Sequence, residues 1–385
     1  MTTESDTRTP NHSPLQLVEP GTIGRLPDVL PDSQRICFVV DEIALDASGV
    51  EPRVNRAFQG RSVFRFSDFE PNPTVDAIDL ANQRLDDAFD TVVAFGGGTA
   101  IDIAKMIALT AGRSTSCHNL LDDPSSIGPD RPCLIAIPTT AGTGSEATHF
   151  AVVYADGVKH SIAHPLVKPD VALVDAHLTH ELPPTTTAHS GLDALCQAIE
   201  SLWSVQATKQ SCDFATRSLR LSASHLPSAV RHPTPADRAA MAEAAHLAGK
   251  AIDLSFTTGA HALSYTLTSS FGVPHGLAVA LTIPAWLRYN GATVESNCID
   301  PRGLPHLRRQ LDVVCEIFGV RSSDEAADWV TDLLDRLGCP GQLSDVGVAR
   351  SDLPEIAGSV NVQRLSNNPH RVTDSVLQTL LEESL

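Results

Sequence analysis

Two glycine- and hydroxyl-rich turns and a group of polar residues at helical spacing carry the chemistry of this chain. The apolar run TVVAF (91–95) passes directly into Gly96, Gly97, Gly98 and Thr99, and then into the helix-compatible AIDIAKMIALTA. Glycine lets backbone N–H groups approach an anion closely, and the start of a helix adds its positive dipole end, so this turn reads as a pyrophosphate cradle. The bland alternative is a tight strand-to-helix turn. A second turn follows the run CLIAI (133–137) as Pro138, Thr139, Thr140, Ala141, Gly142, Thr143, Gly144, Ser145 and Glu146. Hydroxyls and glycines at a strand's carboxyl end lie where open α/β sheets bind ligands, which makes this the second wall of a nucleotide cleft. Asp41 closes the run ICFVVD (36–41). A carboxylate there can accept from ribose hydroxyls and repel a 2′-phosphate, favouring NAD(H) over NADP(H), although an ordinary turn aspartate looks the same.

In the second half, Asp193 and Gln197 stand four apart in HSGLDALCQAIESLW, hence on one helix face, with His189 one turn earlier. Farther on, GAHALSYTLTSSFGVPHG supplies His261, Tyr265 one turn after it, and His275. A carboxylate, two imidazoles and an amide oxygen can hold a divalent metal and leave a position open for substrate. Buried histidines satisfied by hydrogen bonds are the commoner situation.

These residues need a scaffold of two kinds. Up to about residue 180, five short apolar runs, ICFVVD, VFRF (63–66), TVVAF, CLIAI and VALVD (171–175), alternate with helix-compatible stretches. Continuous apolar strands of this kind belong in a parallel sheet covered on both faces. FAVVYADGVKHSIA, with its Asp-Gly pair between alternating residues, predicts a β-hairpin. After LPPTTT (182–187) the chain turns to long Ala- and Leu-rich helical segments. The expected organisation is a polar disordered tail (1–14), a dinucleotide-binding α/β domain (15–180) and an all-helical domain (181–385).

Composition limits the partners. The 385 residues are 42% hydrophobic, enough for a sizeable core, and carry a formal net charge of −18. Such a surface repels phosphate backbones and anionic headgroups, so neither nucleic acid nor membrane is expected as a partner. No apolar run approaches the roughly 20 residues that span a bilayer, and the start lacks signal-peptide character, so a cytoplasmic location is expected. The eight cysteines contain no C-x-x-C pair and read as free thiols.

Taken together, the segments resemble the iron-containing (group III) alcohol dehydrogenases. GGGTAIDIAK and PTTAGTGSE match that family's phosphate and nicotinamide motifs, and GLDAL, GKAIDLSFTTGAHALSY, PHG and NNP (367–369) follow in its order and spacing. The resemblance implies a Rossmann-like domain followed by a helical one, as in the related dehydroquinate synthase fold. Gly97, Gly98 and Asp102 would then contact cofactor phosphates and ribose. Thr139, Thr143 and Lys159 would line the nicotinamide side, with Thr99, Thr140 and Ser145 in the same two turns. Asp193, His261 and His275 match three of four ligands for Fe2+ or Zn2+, with His275 also at the catalytic position. Gln197 stands where most relatives have histidine, and Tyr265, a candidate proton donor, where they have a second one. Finer features, GLDALCQAIESLWSV, TTGAHALSY and VNVQRLSNNPHRVT, are similar to the branch that reduces phosphonoacetaldehyde in phosphonate biosynthesis. That implies a small phosphonate aldehyde as substrate, with Arg364, Asn361 and Asn368 as a candidate anion clamp, and it allows a homodimer. The competing readings are a general alcohol or lactaldehyde dehydrogenase, a dehydroquinate synthase-like lyase, and a nucleotide-binding relic without metal.

Overall fold

The computed structural model describes residues 14–85, 89–113, 116–360 and 362–385, with no side-chain description at 362 and 363. Residues 1–13 of the expected tail, and Asn361, lie outside the described residues. Contacts divide the chain into two units: one runs to Thr139 and resumes over Ser145–Leu178, and the other comprises Thr140–Gly144 and Thr179–Leu385. The second polar turn is therefore split. Thr140–Gly144 goes with the helical unit rather than with the 15–180 segment expected to hold it whole.

The first unit is built on a six-stranded parallel sheet in the order β1-β8-β5-β4-β2-β3. The strands are β1 (Leu15–Val18), β2 (Arg35–Val40), β3 (Ser62–Phe66), β4 (Thr91–Gly96), β5 (Cys133–Pro138) and β8 (Val171–Val174). Alternate residues feed two separate cores. Cys37, Val39, Val92, Ala94, Leu134 and Ala136 pack on one face, while Ile36, Phe38, Val93, Phe95, Ile135 and Ile137 pack on the other. Burial on both faces is why these strands are apolar without alternation. The hairpin is β6 (Phe150–Ala155) and β7 (Val158–Ala163), antiparallel. Its turn residues Asp156 and Gly157 have φ of 51° and 77°, the left-handed pair that a two-residue hairpin turn requires.

The helical unit centres on three long helices packed side by side, Pro184–Trp203, Lys209–Arg231 and Pro235–Ser255. The second and third begin in capping boxes at Thr208 with Ser211 and Thr234 with Asp237, where each end satisfies donors the helix leaves open. The short helix His275–Ala280 packs on Pro184–Trp203 and on Gly259–Phe271. Thus the segments bearing Asp193, His261 and His275 converge within one unit. No helix among the described residues is long and apolar enough to cross a membrane.

Candidate active site

Helix Pro184–Trp203 is apolar around most of its circumference, and its buried polar residues Asp193, Gln197 and Glu200 fall at helical spacing along one stripe. A ligand atom from each of Asp193, His261 and His275 lies within 4.8 Å of the others. His261 Nε2 is 3.3 Å from Asp193 Oδ1, and His275 Nε2 is 4.0 Å from the same oxygen. His189 is not part of this group. Gln197 donates from Nε2 to Asp193 Oδ1 (3.1 Å) and to the Thr143 carbonyl (3.3 Å). Its other terminus, Oε1, is buried without a hydrogen-bond partner. An orphaned buried amide oxygen costs free energy unless something electropositive meets it; because Gln197 faces Asp193 with its NH2 group, it would join a cation held by Asp193, His261 and His275 with its amide turned over.

Glu200, missed in the sequence reading, completes the centre. It is fully buried, accepts from Thr258 Oγ1 (2.8 Å) and Ala260 N (2.9 Å), and makes a short hydrogen bond with His261 Nδ1. Fixing the proton on Nδ1 leaves Nε2 as a lone-pair donor, the arrangement by which carboxylates orient histidine ligands. Burial works against charge at His261, but Glu200 and Asp193 outweigh it and lift the imidazole to about 9. Burial likewise opposes the Asp193 carboxylate, yet His261, His275 and Gln197 hold it below its usual range. The centre therefore favours positive charge at its middle, as a site for a divalent cation should. The spacing of seven between Asp193 and Glu200 was the available signal.

Close packing brings His275 to this centre. A Cβ added at Gly276 would sit 1.9 Å from the His189 carbonyl oxygen and 2.9 Å from Asp193 Cβ and N, so only glycine lets the two helices approach. Gly276→Ala is expected to force them apart, costing on the order of 1–3 kcal/mol, and to lower bound metal. Denaturant unfolding together with metal analysis of the purified variant checks this; an unchanged midpoint with full metal would refute it.

In the sheet unit, β4 pairs with β5 so that Gly96 lies opposite Pro138, and Thr139 N donates to the Gly96 carbonyl (3.0 Å). Gly96 has φ 155°, and a Cβ there would meet Ala100 Cβ at 2.7 Å and Asp41 Cβ at 3.0 Å. Gly97 caps the apolar helix Gly98–Thr110, with Thr99 in its first turn. Asn72, at φ 73°, leans on this turn by donating its backbone N–H to Thr99 Oγ1 (3.3 Å). Thr139 Oγ1 is buried with no partner. A turn with no room for a Cβ at Gly96, with an unsatisfied hydroxyl beside it, fits a dinucleotide diphosphate and its neighbouring groups. Asp41 caps the helix Glu42–Ser48 through Oδ1 to Ala44 N (3.0 Å), and Lys159 lies half-buried on β7.

Asp102 accepts from Ser145 Oγ and from Val152 N (3.0 Å), and Ser145 also accepts from the fully buried Lys105 Nζ (2.9 Å). These bonds tie the second turn and the hairpin to helix Gly98–Thr110. Asn368 is fully buried, exchanging both amide groups with Asn290 and donating to the His370 carbonyl (2.9 Å), which removes it from an anion clamp. Asn361 lies outside the described residues. Arg364 keeps that candidacy: it is half-buried, with its guanidinium 5.2 Å from the centre of the Phe256 ring. Its short helix Val362–Leu365 packs on Gly259–Phe271, which carries His261 and the half-buried Tyr265.

Residues 15–176 match the family described as iron-containing alcohol dehydrogenase, and residues 187–385 match the C-terminal part of the Fe-containing alcohol dehydrogenase family. The chain belongs to the iron-containing alcohol dehydrogenase family, whose members are nicotinamide-dependent oxidoreductases of alcohols and aldehydes. It is 38% identical over 251 residues to a phosphonoacetaldehyde reductase of Streptomyces viridochromogenes, an alignment spanning 62% of this chain and 63% of that protein. Over 93% of both chains it is 29% identical to long-chain-alcohol dehydrogenase 1 of Geobacillus thermodenitrificans. A sulfoacetaldehyde reductase from Bifidobacterium kashiwanohense, solved with NAD+, superposes with a TM-score of 0.85 at 30% identity, covering 97% of each chain. Family and neighbour together support NAD and a divalent metal as cofactors, and they leave the lyase reading without support.

Proposed function

We propose that the chain reduces a short aldehyde bearing a tetrahedral oxyanion, phosphonoacetaldehyde first among them, to the corresponding alcohol with NADH. The observation that carries the metal-assisted part is the convergence of a ligand atom from each of Asp193, His261 and His275 to within 4.8 Å. Fe2+ or Zn2+ would be held by these three residues, with Gln197 the candidate fourth, and would supply Lewis-acid polarisation of the aldehyde oxygen, while NADH would supply the hydride. The chain's own part is preorganisation. Glu200 holds the His261 tautomer, and the Gln197 amide donates to Asp193 and to the Thr143 carbonyl, which fixes the Asp193 carboxylate in place. Tyr265 shares a face with His261 four residues earlier and is the candidate to deliver the final proton. At the cofactor, Asp41, packed against Gly96, is assigned to the adenosine ribose, which favours NADH over NADPH.

The substrate class rests on two similarities and one side chain. The Streptomyces relative and the Bifidobacterium structure are named for two-carbon aldehydes that carry a phosphonate or a sulfonate. Arg364 offers a planar donor suited to either tetrahedral anion. The long-chain-alcohol dehydrogenase similarity favours the second reading, a dehydrogenase of neutral substrates. Arg364→Ala separates them: it should raise KM for phosphonoacetaldehyde roughly tenfold, the loss of about 1.5 kcal/mol from one charge-assisted contact, while leaving propanal kinetics unchanged. Equal effects on both aldehydes would overturn the anion-clamp assignment.

A further inference from the structure

The adenosine end assigned to Asp41 holds a second device that the Asp41 reading does not use. Glu42, the next residue, and Glu51, at the start of helix Glu51–Ala57, both close on Arg65 of the neighbouring strand β3. Arg65 donates from Nε to Glu42 Oε1 (2.8 Å), from Nη2 to Glu42 Oε2 in a short contact, and from Nη1 to Glu51 Oε1 (2.8 Å). The guanidinium is thus bidentate to one carboxylate and bound to a second. Its side chain and those of Glu42 and Glu51 remain about two-fifths accessible, at 39%, 45% and 42%. The hydrogen bond from Arg65 holds Glu42 below its ordinary range, and its bonds to Glu42 and Glu51 push Arg65 higher still.

A guanidinium near the ribose-binding carboxylate is the usual receptor for the 2′-phosphate of NADP, and a carboxylate at that point is the usual means of refusing it. β2 and β3 are paired in register from Arg35 with Ser62 to Val39 with Phe66, and Asp41 and Glu42 follow directly from β2. Asp41 in turn packs against Gly96, at the head of the glycine cradle. Resting on that reading of Asp41, we propose that Arg65 is a latent 2′-phosphate site, kept closed because Glu42 and Glu51 accept from each of its three nitrogens. Selection of NADH then has two layers: Asp41 repels the 2′-phosphate, and the two glutamates withhold the cation that would otherwise neutralise it. Removing either layer alone should accomplish little, because the remaining one still opposes the extra dianion.

The test is equilibrium binding of NADH and NADPH, followed by nicotinamide fluorescence, which needs no aldehyde substrate. Four proteins suffice: wild type, Asp41→Ser, the triple variant Asp41→Ser/Glu42→Gln/Glu51→Gln, and that triple variant with Arg65→Ala added. The triple variant should bind NADPH at least tenfold more tightly than Asp41→Ser does, the scale of a bidentate guanidinium contact to phosphate. Adding Arg65→Ala should abolish that gain while NADH affinity stays within about twofold of the triple variant's, the control that the cradle remains intact. NADPH affinity no better in the triple variant than in Asp41→Ser, or a gain that survives Arg65→Ala, would overturn the proposal. If wild type bound neither nucleotide, the cofactor assignment itself would fall, and the proposal with it.

Discussion

His261→Ala is expected to leave the purified protein without stoichiometric metal and to lower kcat/KM for the aldehyde roughly 10³-fold. Lewis-acid polarisation contributes several kcal/mol to the transition state, and each 1.36 kcal/mol is about tenfold in rate. The loss should be this large because His261 is 4% exposed and offers one of two imidazoles in a site otherwise made of oxygens. Alanine also strands the buried Glu200 carboxylate, which costs about 3–5 kcal/mol when a buried charge loses its partner. His261→Gln is therefore the companion variant, since an amide N–H can still meet Glu200. It should recover folding but not activity. Metal analysis per chain, with NADH binding as a check on the sheet unit, decides the matter. A variant that keeps one metal per chain and its turnover would refute the ligand assignment.

Glu200→Gln should weaken metal binding by about 10–100-fold, the usual consequence of losing the partner that orients a histidine ligand. The substitution is nearly isosteric, and its amide oxygen can still accept from Thr258 Oγ1 and Ala260 N. Its NH2 group then faces His261 Nδ1 and donates to it, which moves the imidazole proton to Nε2, the atom needed as a ligand. Competition against a chelator of known affinity measures the effect. Unfolding by denaturant should change much less than metal affinity. An unchanged metal affinity would mean that Glu200 serves only to anchor the start of helix Gly259–Phe271.

The sheet was legible where strands are buried on both faces. ICFVVD, TVVAF, CLIAI and VALVD correspond to β2, β4, β5 and β8, because a strand between two cores has no polar alternation to obscure it. β1 escaped notice for the opposite reason: LQLV is an edge strand, with Leu15 45% exposed and no continuous apolar run. In the site, helical spacing placed Asp193 and Gln197 on one face, while His261 and His275 stood out as imidazoles in a later segment, and the fold brings both to Asp193. Glu200 lies seven residues after Asp193 on that same face, but its role shows only once His261, from a different helix, is seen to meet it. The burial of Asn368 was hidden for a related reason. A motif names the residues of a turn, but the direction of each side chain depends on neighbours distant in sequence, here Asn290.

The substrate assignment is the central claim, and the most direct test is the initial rate of NADH oxidation by metal-loaded protein with phosphonoacetaldehyde and, at equal concentration, with propanal. The account predicts kcat/KM at least tenfold higher for phosphonoacetaldehyde, a margin matching one charge-assisted contact, and lost in Arg364→Ala. Equal or faster turnover of propanal would contradict it and leave a dehydrogenase of neutral alcohols in its place.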